Sequence, residues 1–146
     1  MPAKMVRKLC AMAFLAGTLV LILAALLKPD PRGYGTHQQL GLPPCITSMM
    51  LGVKRCPGCG LTTGFAHLVR GQITSAWASN PMSLLFFSAM LICMGCALHG
   101  MVTGTERMLP LFVGCIAACG LTTLIAWGIF FAHTPLSAYH PFHYIQ

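Results

Sequence analysis

Acidic residues are nearly missing from this sequence: Asp30 and Glu106 are the only two in 146 residues. With so few carboxylates, general acid–base chemistry has little to work with. No Ser/His/Asp arrangement and no phosphate-cradling glycine loop is recognisable either. Charge of both signs is scarce, at 8% of residues, where soluble domains carry about 25%. Such a surface must face lipid over most of its area. The nine Lys and Arg stand singly or in pairs. That scatter fits loops beside a membrane and excludes a phosphate-tracking stripe, so no nucleic-acid partner is expected.

What the sequence has instead is carbon, 56% hydrophobic residues, and eight cysteines. Three uncharged runs are long enough to cross a bilayer as helices, which takes about 20 apolar residues: 9–27, 82–102 and 109–131. The first follows Lys4, Arg7 and Lys8. No A-x-A site follows it, so an uncleaved span with a cytoplasmic N-terminus is expected. Asn80-Pro81 reads as a helix start, with the Asn side chain accepting from free N–H groups and Pro suited to the first turn. Thr103 to Met108, with Glu106-Arg107, is a tight polar connection. The tail from Ala132, with His133, His140 and His143, reads as interfacial. No charge lies inside a span, so an ion or proton path through this chain alone is not expected.

Between the first two spans, residues 28–80 form a loop region broken by proline and glycine as far as residue 44. Ile46 to Val53 reads as a short buried helix. Leu61 to Ala78 reads as one short helix, with apolar residues three and four apart, interrupted at Arg70-Gly71-Gln72. It is too polar to span and is expected to lie on or dip into the interface, with Trp77 at headgroup level. With the N-terminus inside, this region and the tail lie outside.

The densest chemistry is Cys56-Pro57-Gly58-Cys59-Gly60. Pro57 fixes one dihedral, and Gly58 and Gly60 permit conformations other residues resist, so the two thiols can converge. Cys45 follows the stiff Pro43-Pro44. Three readings stay open. The first is a structural disulfide, favoured if the loop is outside. The second is a metal site, with Cys45, Cys56 and Cys59 as thiolates and a histidine such as His67 completing a tetrahedron around zinc or copper. The third is a redox dithiol, in which the following helix start lowers the pKa of Cys59. His37, His67, His133, His140 and His143 share the thiols' side in this topology; His99 does not.

Cys93 and Cys96, and Cys115 and Cys119, each share a helix face. A hairpin of the last two spans sets Cys93 level with Cys119. We expect these cysteines to pack as small apolar residues, with Gly95, Gly100, Gly114 and Gly120 marking close helix packing.

Residues 41–81 resemble the domain of unknown function 2752 family, small bacterial membrane proteins with a CPxCGxT motif. The resemblance rests on Pro44-Cys45, Cys56-Pro57-Gly58-Cys59-Gly60-Leu61-Thr62, Arg70-Gly71, Ala76 and Asn80-Pro81. The family pattern usually has an arginine after the threonine, where this chain has Thr63. The family brings no established activity, so the resemblance implies the site and the architecture rather than a reaction. The expectation is an all-α protein of the inner membrane. It has three transmembrane helices and one short interfacial or re-entrant helix after the CPGCG turn. Gly58, Gly60, Asn80 and Pro81 are structural. Its partners are the lipid bilayer and either another membrane protein or a second copy of itself. It reads first as a non-enzymatic accessory subunit, with metal handling and thiol–disulfide exchange as alternatives.

Overall fold

The computed structural model describes residues 3–51, 55–104 and 109–133. Among them every regular element is helical: α1 (Ala3–Leu26), a 3-10 helix (Thr36–Leu40), α2 (Ile46–Leu51), α3 (Leu61–Leu68), α4 (Ile73–Ser79), α5 (Met82–Thr103) and α6 (Leu109–His133). Three of these, α1, α5 and α6, are long and apolar enough to cross a membrane. Their 22 to 25 residues reach about 33 Å or more at 1.5 Å per residue, against a hydrocarbon core of about 30 Å. Most of their large apolar side chains are exposed, Leu15, Leu26, Val102 and Leu124 among them. Helices apolar all round are covered by lipid or by a partner. The chain is a membrane protein.

The first helix begins six residues ahead of the apolar run, so Lys4, Arg7 and Lys8 occupy its opening turns. Arg7 donates to the carbonyl of Val102 at 3.4 Å. The start of α1 therefore meets the end of α5, and the two helices run antiparallel. Both α1 and α6 pack on α5, and α1 and α6 share no contact among the described residues. A Cβ on Gly17 would lie 2.8 Å from Met94, so α1 and α5 approach closely there. Gly95, Gly114 and Gly120 do not act this way: a Cβ on any of them meets open space. Gly100 alone of the expected set is buried.

Residues 61–78 are not one helix. Apolar periodicity runs through the stretch, but Gly71 takes a left-handed conformation (φ +72°). The N–H of Gln72 bonds to the carbonyl of His67 and that of Gly71 to Leu68, at 3.0 and 2.9 Å. This is a Schellman ending, which stops α3 and releases the chain into α4. The two short helices fold as a hairpin against the start of α5. Gly64 and Ala76 are buried there, and a side chain on Gly64 would collide with Ser83. Phe65 meets Phe87 edge to face at 5.5 Å. Trp77 stands 62% exposed on α4. The helix expected as buried over 46–53 also differs. Its described part is α2, with Ile46, Met49 and Met50 exposed, so it covers no core. Glu106-Arg107 and the tail with His140 and His143 lie outside the described residues.

Two arginines hold this arrangement by donating to backbone carbonyls. Arg70, just past α3, donates to Ala24, Ala25 and Leu27 at 3.3, 2.8 and 2.9 Å, and to Ala66. These are carbonyls at the C-terminal ends of α1 and α3, which have no partners inside their own helices. Arg55 donates to Ser79 and Gly33 at 2.8 and 3.3 Å. The same two carbonyls press on Gly60, where a Cβ would sit 2.5 Å from one and 2.7 Å from the other.

Two outcomes follow for stability in detergent. Arg70→Met should lower the melting temperature by an amount equivalent to about 1.5 kcal/mol or more, because hydrogen bonds to a charged group contribute about 1.5–3 kcal/mol each. Arg70→Lys should recover only part of that, and a wild-type melting temperature for Arg70→Met would refute the role. Gly71→Ala meets open space and should cost only the left-handed strain, about 1–2 kcal/mol. Gly60→Ala adds collision with two carbonyls and should cost well beyond that; equal losses for the two would show that Gly60 is not squeezed.

Candidate metal centre

The CPGCG stretch folds as two overlapping turns. The N–H of Cys59 bonds to the carbonyl of Cys56 at 2.9 Å, and that of Leu61 to Gly58 at 3.3 Å. Pro57 occupies the second position of the first turn, where its fixed φ suits. Gly60 (φ +91°) then turns the chain into α3. Asn80 fastens this turn from behind. Its amide donates to the carbonyls of Pro57 and Cys59 at 2.8 and 3.1 Å. Its oxygen accepts from the N–H of Met82 at 2.9 Å. So Asn80 caps α5 as its sequence position predicts, with Pro81 in the first turn, and it also anchors the knuckle, which the sequence does not reveal.

The 28–45 arm closes over the front. Thr36 and Thr63, both fully buried, join hydroxyl to hydroxyl at 2.8 Å. Thr36 also accepts from the N–H of Asp30 at 3.0 Å. Tyr34 lies under the guanidinium of Arg55 at 5.0 Å. Cys45, at the end of this arm, thereby arrives beside the knuckle. The sulfurs of Cys45 and Cys56 are 3.5 Å apart and those of Cys56 and Cys59 3.3 Å. A disulfide has about 2.05 Å, and all three are free thiols in this structure. The three sulfurs lie within 4.8 Å of one another. Among the described residues no other group of three or more His, Cys, Asp or Glu gathers so as to hold one ion. Cys93 of α5 lies near both Cys115 and Cys119 of α6.

His67 does not join the thiols. It sits near the far end of α3, about 10 Å along the axis from Gly60, and its Nδ1 is 2.7 Å from Oε1 of Gln72. The sequence gives no sign that α3 points this histidine away. His37 is the histidine that comes near. It lines a cavity of about 520 Å³ together with Arg32, Gln38, Cys45, Met49 and Cys59. Cys56 is only 8% exposed and does not line the cavity.

The electrostatics also reverse an expectation. Burial pushes the Cys59 thiol up, and the Cys56 and Cys45 thiols add to it, to about 12. The start of α3 does not make it a thiolate. Burial also raises Cys45, but the Ser48 backbone N–H and hydrogen bonds from Cys56 and Cys59 outweigh it, and the net is a fall to about 7. Cys45 thus carries negative charge under conditions where Cys59 stays protonated. Metal binding completes what this arrangement begins, because the ligand is the thiolate and the ion displaces the remaining protons.

The three thiols, the α3–α4 hairpin and the first half of α5 fall in one continuous segment. Residues 45–94 match the model of the family described as Protein of unknown function (DUF2752). The matched segment opens on Cys45 and so holds all three thiols, along with Gly58, Gly60, Asn80 and Pro81. No curated protein and no solved structure matches the chain. Thr63, inside the matched segment, is the residue whose hydroxyl meets Thr36.

In reduced, metal-free protein, Cys45 loses its proton well before Cys59 as pH rises. Its alkylation by iodoacetamide should therefore climb through pH 7 and level off above it, while Cys59 stays unreactive to at least about pH 10. Peptide mass spectrometry of the alkylated protein reads both. Equal rates at Cys45 and Cys59 across this range would refute the assignment.

Proposed function

We propose that this chain is a membrane-anchored metal-binding protein whose ligands are Cys45, Cys56 and Cys59. The observation that carries the reading is the convergence of three free sulfurs, from two separate chain segments, within 4.8 Å. Three thiolates suit Zn²⁺ or Cu⁺, the ions that soft sulfur ligands select. The bound ion ties the 28–45 arm to the knuckle, so it also stabilises the extramembrane region. That role fits a non-enzymatic accessory protein.

The reading also takes the protein to the inner membrane with its N-terminus in the cytoplasm and the thiols on the outer side. The basic residues of the 28–80 region argue for the opposite orientation only if they are free to act as topology signals. Arg55 and Arg70 are spent on carbonyls, and Arg32 pairs with Asp30 at 2.7 Å. Lys4, Arg7 and Lys8 then weigh more heavily.

Elemental analysis of protein purified under reducing conditions should find one Zn or Cu per chain. Single serine substitutions at Cys45, Cys56 or Cys59 should lower occupancy at least tenfold. Alanine at Cys93, Cys96, Cys115 and Cys119 together should leave it unchanged. A metal-free sample with its loop cysteines fully oxidised would overturn the proposal.

A further inference from the structure

We infer that an ion held by the three thiols keeps one coordination position open toward the cavity, and that a small anionic ligand from solution binds it there. The inference rests on the metal-binding reading above and adds direction and chemistry to it. Cys45 and Cys59 form part of the cavity wall. Cys56 is nearly buried and is not part of that wall. An ion touching all three sulfurs therefore has protein on its Cys56 side and open space on the other. A zinc-type ion takes four ligands; three protein ligands with an open fourth position distinguish sites that exchange a ligand from closed structural ones.

The chain supplies no fourth ligand at that distance among the described residues, since the group within 4.8 Å ends at three cysteines. His37 is on the cavity wall but outside that group. The cavity of about 520 Å³ has room for a molecule of several atoms beside the ion.

Charge selects the class of ligand. Three thiolates around a divalent ion leave a net charge of −1. Residues 28–80 carry Lys28, Arg32, Lys54, Arg55 and Arg70 against Asp30 alone. This excess of positive charge offsets the cluster and the incoming anion together. Arg32 stands on the cavity wall itself, held by Asp30 and by the Gln38 side-chain oxygen at 3.3 Å. Binding is ligand addition at the ion: the anion donates a lone pair, the ion's oxidation state does not change, and any water in that position leaves.

Cobalt(II) reports the coordination shell by its visible bands. Full-length protein in detergent, reduced and loaded with one Co²⁺, should show intense tetrahedral bands and sulfur-to-cobalt charge transfer. Titration with thiocyanate should shift the visible bands and saturate at one anion per ion, in the wild type and in His37→Ala alike. Arg32→Ala should weaken thiocyanate binding several-fold while leaving the cobalt spectrum in place. A cobalt spectrum that ignores thiocyanate in the wild type, and changes in His37→Ala before any anion is added, would make His37 the fourth ligand and overturn the inference, leaving the three-thiol site intact. Failure to bind cobalt at all would instead remove the metal-binding reading on which it rests.

Discussion

A single carboxamide, that of Asn80, joins the thiol-bearing turn to the membrane. It donates to the carbonyls of Pro57 and Cys59 and accepts from the first turn of α5. The turn is short, and Asn80 holds it together with the close packing at Gly60. Bound to the end of a 22-residue helix, it inherits that helix's rigidity. Gly60 completes the junction. Only a residue without a side chain can pass between the carbonyls of Gly33 and Ser79, and that passage lets the 28–45 arm come close enough to deliver Cys45. The three-sulfur cluster is therefore a product of tertiary contacts as much as of the CPGCG spacing.

The near absence of acidic residues gives the charged side chains an unusual use. With Asp30 the only carboxylate among the described residues, cations find partners in the backbone. Arg7 reaches Val102 at the end of α5, Arg70 reaches the end of α1, and Arg55 reaches Ser79 at the end of α4. Carbonyls at a helix C-terminus carry partial negative charge and lack partners. Each arginine thus acts as a C-terminal cap supplied from a distant part of the chain.

The parts legible in the sequence are those set by composition or by local backbone chemistry. Three uncharged runs gave three long helices, and Asn80-Pro81 started the second of them. The parts that were not legible depend on contacts far apart in sequence. Gly71 ends α3 inside an apolar pattern that continues in step on both sides, so periodicity alone reads one helix where there are two. His67 is on the right side of the membrane for the thiols but on the wrong end of its helix. His37, which lines their cavity, is brought there by the pairing of Thr36 with Thr63, which no spacing rule announces. The thiolate moved from Cys59 to Cys45 for a related reason: a helix start is a local feature, whereas burial and neighbouring thiols are not. Gly95, Gly114 and Gly120 suggested close packing because small residues permit it, yet permission is not contact.

Among the described residues the three spans form a row, with α5 packed on both α1 and α6 and those two sharing no contact. A single row of helices encloses no lumen. Whatever reaches the sulfurs must come from, and go back to, one aqueous compartment, and traffic across the bilayer would need a conduit built by another molecule.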